Sequence, residues 1–254
     1  MSAEERESFD RDGFLIVDDP CPPALVDAVL ADIEPHYHEA FHPGPEVARD
    51  GAVYTRHPGR TERYYWNRVR NAWWVEQSVR AMALAPRVLA IVEELFGRPP
   101  LPFQTLNFPI GTEQSEHIDA FIFNSEPPRY MCGVWVALED VKPDSGELEV
   151  FPGTHRLPRV YIHGSGCEKV TDDDWADFGE KIVKRYRRML DEGGFRSVTY
   201  RPKRGTVLVW HENLLHGGSV RKDTSLSRRS IVSHYFADGA IAFYDSTGLP
   251  GHME

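Results

Sequence analysis

The chain has 254 residues, a formal net charge of −10, and 41% hydrophobic against 27% charged residues. This balance is typical of a folded domain with a substantial core, and the excess of acidic residues argues against a nucleic-acid partner. No apolar run approaches the length of about 18 residues that a membrane span needs, and the first residues are acidic where a signal peptide is basic and then apolar. We therefore expect a cytoplasmic protein without a membrane partner.

The first hundred residues predict a mainly helical support for a sheet. A turn at Asp12-Gly13 leads into a short apolar strand, and apolar residues at helical spacing predict a helix over about 23–38. Two more helical patterns meet at Pro86 within residues 73–96. Residues 42–72 have weak periodicity and are rich in Pro, Gly, Arg and Tyr, which predicts a long irregular segment of the kind that often has a function.

Beyond residue 100 the pattern changes to short segments rich in β-branched and aromatic residues. This texture predicts an antiparallel sandwich or barrel, and hence a mainly β chain with flanking helices, an α+β fold. A capping box at Thr171 and Asp174 predicts a helical insert over about 172–191. We expect one domain over 1–254, with support at about 1–100 and a core at about 101–240. The predicted strands are 102–108, 116–123, 130–138, 147–151, 197–200, 206–210 and 229–236.

His117 and Asp119 form the most informative local pattern. Residues two apart on an extended segment project to the same face, so these two side chains can hold one metal ion. A third ligand is available at His216, 97 residues after Asp119. Two imidazoles and one carboxylate on one side of a metal leave the other positions open, which suits a non-haem Fe(II) that handles O2 and a chelating co-substrate.

A zinc-protease motif is a competing interpretation of His211, Glu212 and His216. That motif needs its histidines four residues apart on one helical face, whereas here they are five apart and follow a predicted strand. The neighbouring Gly217 and Gly218 allow a close backbone approach beside His216. We therefore take His216 as the ligand and expect a structural role for His211.

A chelating 2-oxo acid would present a second carboxylate away from the metal. A planar, bidentate guanidinium and a hydroxyl are suited to bind it. Arg228 and Ser219 lie beyond His216 and can supply these groups.

At this point the chain resembles the phytanoyl-CoA dioxygenase family of Fe(II)- and 2-oxoglutarate-dependent oxygenases. The matching segments occur in the same order over most of the sequence, and they are 9–17 (FDRDGFLIV), 117–119 (HID), 135–140 (WVALED), 145–156 (SGELEVFPGTHR) and 216–228. The resemblance implies a double-stranded β-helix, or jelly-roll, core that binds Fe(II) through His117, Asp119 and His216. It also implies 2-oxoglutarate bound by Arg228 and Ser219, and oxidation of a small-molecule C–H bond by O2 with release of succinate and CO2.

The spacing departs from the family pattern at one place. The family serine usually comes two residues after the distal histidine, but Ser219 comes three residues after His216. Because Arg228 keeps the usual nine residues from Ser219, we infer one extra residue at Gly217-Gly218 and prefer Arg228 to Arg229 as the anchor.

The resemblance also suggests a wall for the co-substrate. Gln104, on the strand before the metal motif, is similar to positions where the family places a polar contact to 2-oxoglutarate. Thr105, Asn107 and Trp135 are candidates for the same wall, although Trp135 also suits core packing.

Alternatives remain open for the reaction itself. Asp119 disfavours halogenation, because halogenases of this class have a small residue in place of the carboxylate, but desaturation, cyclisation and epoxidation would use the same ligands. A non-catalytic 2-oxoglutarate sensor and a cupin-type hydrolase or isomerase are the alternative classes. The substrate is expected to meet residues of the irregular segment, namely Tyr54, Arg56, Arg63, Tyr64, Tyr65 and Trp66.

Overall fold

The structure is a computed structural model that describes residues 1–17, 21–39, 45–47, 53–55, 68–158 and 175–243. The helices in these ranges are α1 (Ala3–Asp12), α2 (Pro23–Glu39), α3 (Gln77–Ala83), α4 (Pro86–Phe96) and α5 (Trp175–Gly193). None of the helices in the described ranges has the length and apolar character needed to cross a bilayer.

Most of the remaining regular structure consists of short strands. They are β1 (Phe14–Val17), β2 (Pro45–Val47), β3 (Val53–Thr55), β4 (Val69–Arg70), β5 (Pro100–Phe108), β6 (Asn124–Glu126), β7 (Met131–Ala137), β8 (Leu148–Val150), β9 (Val198–Tyr200), β10 (Val207–His211), β11 (His216–Gly218), β12 (Ser230–Ala237) and β13 (Ile241–Phe243).

Two sheets face each other to form the core. The large sheet has the strand order β1-β10-β7-β12-β5-β4-β2-β3, and the small sheet has the order β11-β8-β9. Neighbours in the series β10, β7, β12 and β5 are antiparallel, although they are far apart in sequence. Two facing sheets whose neighbouring antiparallel strands are far apart in sequence form a jelly roll. The predicted mainly β fold with flanking helices is therefore confirmed.

The large sheet is covered by helices on its outer face and by the small sheet on its inner face. Its outer face packs against α2, α3 and α4 through a core that includes Val134 and Ile231. Its inner face packs against the small sheet through a second core that includes Trp135, Val232 and Leu148. Adjacent residues on one strand therefore serve different layers, as strand geometry requires.

The helix predictions are confirmed in most places. The helix expected over about 23–38 is α2, and the two helices expected to meet at Pro86 are α3 and α4. Gly97 ends α4 with φ +67°, a left-handed conformation that glycine adopts without steric cost. The expected helical insert is α5 over its described part, while the capping box at Thr171 and Asp174 lies outside the described residues.

Two predictions of secondary structure were wrong, and one helix was missed. Helix α1 was not predicted, although Ser2 and Glu5 form a capping box at its start. The segment 42–72 was expected to be irregular, yet β2, β3 and β4 extend the large sheet there. The strand expected over 116–123 is only a single bridge at His117 followed by a 3-10 turn, because backbone hydrogen bonds from Ile122 and Phe123 return to the carbonyl of Asp119.

Candidate metal centre

The three residues that the sequence suggests as ligands lie together at one edge of the small sheet. His117 and His216 face each other in an antiparallel bridge, and the amide of each donates to the carbonyl of the other at 2.9 and 3.0 Å. Asp119 begins the 3-10 turn, which the amide of Ala120 anchors by donating to the Glu212 carbonyl at 2.9 Å. Backbone hydrogen bonds therefore set the separation of the three side chains.

Helix α5 packs against the residues that adjoin these ligands in sequence. Ile118, Ala120 and Leu215 form an apolar cluster with Tyr186 and Leu190 of α5. The ligand segments are thus fixed by side-chain packing as well as by backbone hydrogen bonds.

The geometry of the three side chains fits a metal ion. One nitrogen from each histidine and one oxygen of Asp119 lie within 4.8 Å of one another, and Asp119 Oδ1 is 3.9 Å from His117 Nε2 and 3.7 Å from His216 Nε2. The Nδ1 atoms lie 2.9 Å from the Ser115 carbonyl and 3.0 Å from the Leu214 carbonyl. When Nδ1–H donates to these carbonyls, Nε2 keeps its lone pair for a metal.

The electrostatics favour the protonation states that bind metals. Burial, followed by the nearby His216, lowers the pKa of His117 to about 3, and Arg68 acts in the same direction while Asp119 opposes it. Burial by itself would raise the pKa of Asp119, but His216 and His234 outweigh burial and hold that pKa below its usual range. At neutral pH His117 is therefore neutral and Asp119 is ionised.

Two residues at this centre were not found by sequence reasoning. The indole Nε1–H of Trp210 donates to Asp119 Oδ2 at 2.6 Å, and His234 Nε2 lies 3.4 Å from the same oxygen. Both residues come from strands of the large sheet, β10 and β12. Their approach to Asp119 depends on how the two sheets face each other, and no local sequence signal contains that information.

Arg228 lies inside the jelly roll, as the sequence suggests. Its side chain is buried, with Cζ 5.9 Å from the centroid of the Phe108 ring and 5.7 Å from that of Trp135. Burial lowers the pKa of Arg228 to about 10. The neighbouring Arg229 points the other way and forms an ion pair with Glu34 of α2 at 3.2 Å, which agrees with the alternation of side chains along a strand.

The structure does not bring Ser219 to Arg228, and this part of the sequence interpretation needs correction. Ser219 follows Gly218, the partner of Leu148 on the inner face, so its own side chain turns to the outer face of the small sheet. There its hydroxyl donates to Glu147 Oε2 at 3.2 Å and lines a surface cavity of about 440 Å³ that does not include Arg228.

A different hydroxyl lies on the inner face, at the start of the strand that Arg228 precedes. Ser230 is two residues beyond Arg228 and pairs with Phe108 and Ala137, which both belong to the inner core. Its Oγ is buried and has no hydrogen-bond partner among the described residues. Ser230 is thus a candidate for the hydroxyl that the sequence interpretation assigned to Ser219.

The four residues suggested for the co-substrate wall separate into two pairs. Gln104 pairs with His234, and Trp135 pairs with Val232, so these two lie on the inner face with the metal centre. Trp135 is also fully packed in the inner core, as expected of a structural residue.

Thr105 and Asn107 lie on the opposite face of β5. Asn107 pairs with Ile231 and with Val69, and both of these partners belong to the core beneath the helices. Since Thr105 is two residues from Asn107 on the same strand, it shares that face. The suggestion that Thr105 and Asn107 contact the co-substrate is therefore corrected.

The suggested substrate residues Arg56, Arg63, Tyr64, Tyr65 and Trp66 lie outside the described residues, and for Tyr54 only the backbone strand is described. Arg68 lies just beyond this segment. Its Cζ is 6.0 Å from the centroid of the Phe108 ring, so guanidinium groups from Arg68 and Arg228 both approach this ring. His211 has a structural role, because its Nδ1 accepts the amide hydrogen of Asn213 at 3.0 Å.

A jelly roll with two histidines and one aspartate grouped at the edge of its small sheet defines a class of non-haem metal oxygenases. Residues 9–230 match the family model "Phytanoyl-CoA dioxygenase (PhyH)", and the chain belongs to this family. The predicted class, an Fe(II)- and 2-oxoglutarate-dependent oxygenase, is confirmed at this level. The family assignment also disfavours the alternatives of a non-catalytic sensor and a cupin-type hydrolase.

Curated relatives support the assignment over nearly the whole chain. The peroxisomal phytanoyl-CoA dioxygenase of Rattus norvegicus is 25% identical over 244 residues, which cover 92% of this chain and 68% of the rat protein. The human enzyme is 23% identical over 257 residues, which cover 98% of this chain and 72% of the human protein.

Solved structures share the fold. The 2-oxoglutarate-dependent carbocyclase SnoK from nogalamycin biosynthesis has a TM-score of 0.71 at 18% identity, with 100% of this chain and 94% of SnoK covered. The epimerase SnoN, solved with Fe3+, alpha ketoglutarate and nogalamycin RO, has a TM-score of 0.64 at 21% identity, covering 97% and 86%. EctD from S. alaskensis, solved with 2-oxoglutarate and 5-hydroxyectoine, has a TM-score of 0.63 at 17% identity, covering 93% and 76%.

Proposed function

We propose that this oxygenase hydroxylates an unactivated C–H bond of a small molecule, with Fe(II) bound by His117, Asp119 and His216. The observation that carries the proposal is the convergence of these three side chains, with both Nε2 atoms left free by the hydrogen bonds of Nδ1. The proposal includes 2-oxoglutarate as co-substrate, anchored by the buried Arg228. O2 is the oxidant, and succinate and CO2 are the products of the co-substrate.

When bound, the iron would supply the activation of O2 and the oxidation of the C–H bond, chemistry that belongs to the metal and the co-substrate. The residues of the chain position the metal and the co-substrate and provide the charges that bind them. His117 donates a neutral nitrogen and Asp119 an ionised oxygen, and Arg228 neutralises the far carboxylate of 2-oxoglutarate. Trp135 and Phe108 flank that guanidinium and exclude water around it.

Arg228 supports 2-oxoglutarate because it is a buried cation that forms no ion pair among the described residues, although Glu139 and Glu147 act on it electrostatically. Its Nε has no hydrogen-bond partner in the described part of the chain, and a buried cation of this kind calls for an anion. Ser230 offers a hydroxyl on the same face, and Gln104 offers an amide further along the inner face.

The substrate is proposed to be an amino-acid, acyl or secondary-metabolite type of small molecule with a polar or anionic group. Arg68 supports the anionic group, because its guanidinium approaches the Phe108 ring, as that of Arg228 does, and acts electrostatically on His117. The range of the names among similar proteins, from phytanoyl-CoA to 5-hydroxyectoine, is in keeping with this breadth. The rat relative is named as peroxisomal, so the cytoplasmic location stays a prediction.

A second candidate reaction is cyclisation or epimerisation of the substrate, and the structural similarity to SnoK and SnoN favours it. These reactions begin with the same hydrogen abstraction and need the same ligands. The difference lies in the product, which gains an oxygen atom from O2 only in hydroxylation. Halogenation is not proposed, because Asp119 occupies the position where halide would bind.

The proposal is tested by anaerobic reconstitution of the protein with Fe(II) and 2-oxoglutarate. We expect a weak visible charge-transfer band, which His117→Ala combined with Asp119→Ala abolishes. A screen of small molecules for succinate release then identifies the substrate, and labelling with ¹⁸O2 separates hydroxylation from cyclisation. Absence of the band in the wild-type protein at saturating iron and 2-oxoglutarate would contradict the assigned site.

A further inference from the structure

The two carboxylate oxygens of Asp119 have different surroundings. Oδ1 faces the Nε2 atoms of His117 and His216 at 3.9 and 3.7 Å. Oδ2 faces the large sheet, where it accepts the Nε1–H of Trp210 at 2.6 Å and lies 3.4 Å from His234 Nε2. Because the Asp119 side chain is buried, protein groups rather than bulk water determine which oxygen is free.

The two groups that face Oδ2 come from residues aligned across three strands. Trp210 of β10 pairs with Gly133 of β7, and Gly133 pairs with His234 of β12. A Cβ atom on Gly133 would lie 2.3 Å from Cε2 and 2.5 Å from Nε1 of Trp210. The indole therefore lies directly over the backbone of β7, and only glycine at position 133 allows the indole to take this position.

Core packing alone does not explain this arrangement. The indole ring of Trp210 packs in the inner core, where a phenylalanine would also be accommodated. Its N–H, however, is directed at the carboxylate of Asp119, which is a proposed ligand of the metal. His234 sits among Phe103, Phe123 and Trp210, so an apolar ring would suit its surroundings equally well. Two N–H-bearing rings at two apolar positions, both facing one oxygen, indicate a role for that oxygen.

We propose that Trp210 and His234 are positioning residues that hold Oδ2 of Asp119, so that Asp119 ligates iron through Oδ1 alone. This inference rests on the proposed iron site. A carboxylate that bound through both oxygens would occupy one more position on the metal. With Oδ2 held by the large sheet, the protein supplies three ligand atoms and leaves room for a two-atom chelate and for O2.

The test compares Fe(II) affinity under anaerobic conditions, measured with a competing chelator. Trp210→Phe keeps an aromatic ring and removes the N–H, and we expect its Fe(II) dissociation constant to rise about 10- to 100-fold, the usual effect of losing a hydrogen bond to a ligand. Trp73→Phe, in the helical layer beside Trp74, removes an indole away from the site and should leave the affinity within about twofold. Melting temperatures of both metal-free variants show whether folding is preserved.

A second pair of variants, both at His234, does not depend on Trp210. His234→Gln keeps a donor on the side chain and should retain most of the Fe(II) affinity, whereas His234→Phe removes the donor and should weaken binding.

Gly133→Ala should displace the indole of Trp210 and weaken Fe(II) binding while both donors remain in the sequence. Because Gly133→Ala and Trp210→Phe act on the same hydrogen bond, their effects should be less than additive in the double variant.

The outcomes separate this inference from the proposed function. If wild-type protein fails to bind Fe(II), the proposed iron site is wrong. If the wild-type protein binds Fe(II) but Trp210→Phe and His234→Phe bind it within about twofold, with the same visible band in the presence of 2-oxoglutarate, the iron site stands and the positioning role is overturned.

Discussion

Replacing Arg228 with methionine removes a buried positive charge from the inner face of the large sheet while filling much of the same volume. The guanidinium lies close to both the Phe108 and the Trp135 ring, so an apolar side chain of similar length can pack there. In the proposed mechanism, Arg228 pairs with the far carboxylate of 2-oxoglutarate. The variant therefore isolates the electrostatic part of co-substrate binding from its packing.

The magnitude follows from the burial of the pair. Truncating one partner of a buried, hydrogen-bonded charge pair costs about 2–5 kcal/mol. Since about 1.4 kcal/mol corresponds to a tenfold change in a binding constant, Arg228→Met should raise the dissociation constant of 2-oxoglutarate between about 30-fold and a few thousand-fold. In the absence of 2-oxoglutarate the effect on stability should be opposite. Burial lowers the pKa of Arg228, which means that the charged form is penalised, so the free variant should melt at or above the wild-type temperature.

The assay is an anaerobic titration of the Fe(II)-loaded protein with 2-oxoglutarate, followed by the visible band. Arg229→Met is the matched control, because Arg229 is adjacent in sequence but pairs with Glu34 near the surface. Such pairs contribute about 0–1 kcal/mol, and 2-oxoglutarate binding should stay within about twofold. The reasoning is refuted if Arg228→Met binds 2-oxoglutarate within about threefold of wild type, or if Arg229→Met loses as much affinity as Arg228→Met.

Three further predictions concern nearby residues. Ser230→Ala should weaken 2-oxoglutarate binding about 10-fold or more in the same titration, since a hydrogen bond to a charged group contributes about 1.5–3 kcal/mol. Ser219→Ala should change the affinity for 2-oxoglutarate less than about twofold. Equal losses of affinity in the two variants would show that the assignment of Ser230 as the inner hydroxyl is wrong. Because the pKa of His117 is lowered to about 3 in the folded protein, the unfolded state binds more protons below about pH 6.5, so the free energy of unfolding of metal-free protein should fall as the pH drops from about 6.5 towards 3. Denaturant titrations should show a smaller fall for His117→Gln, and an unchanged pH dependence would contradict the stated pKa. Glu212→Ala should lower the melting temperature more than Glu212→Gln, because the buried carboxylate accepts from the Arg129 amide and the Ser125 hydroxyl; equal melting temperatures would argue against this role.

Local patterns in the sequence were sufficient for much of the fold and for the three residues that the structure groups as a candidate metal centre. Helical periodicity located α2, α3 and α4, and the spacing of His117 and Asp119 predicted that these two candidate ligands lie together. The choice of His216 over His211 required only the strand that precedes them and the glycines that follow. The backbone at Asp119 differs from the expected strand, yet the two side chains still meet.

The orientation of residues on β5 could not be predicted from the sequence. Gln104, Thr105 and Asn107 are all buried, because one face of the strand meets the small sheet and the other meets the helices. A strand buried on both faces lacks the alternation of apolar and polar residues that reveals its inner side. Only the pairing of β5 with β12 shows that Gln104 faces the metal centre while Thr105 and Asn107 do not.

The sequence likewise could not show which hydroxyl lies on the same face as Arg228. The spacing from His216 to Arg228 shows that one residue is added, but either side of the glycine pair could contain it. Gly218 pairs with Leu148 on the inner face, so Ser219 is turned away from the guanidinium. The contact of Trp210 with Asp119 is likewise a relation between two sheets that are distant in sequence.

The division of the site between the two sheets has a consequence for how its activity can be altered. His216 belongs to the small sheet, His117 bridges to its edge, and Arg228 leads into β12 of the large sheet. The distance from the candidate metal centre to Arg228, the proposed anchor of the co-substrate, is therefore set by the thickness of the core between the sheets, where Leu148, Trp135 and Tyr200 pack. Larger or smaller side chains at such positions would change that distance without replacing any residue of the site. Protein engineers could therefore alter the activity of this oxygenase by substitutions in its core.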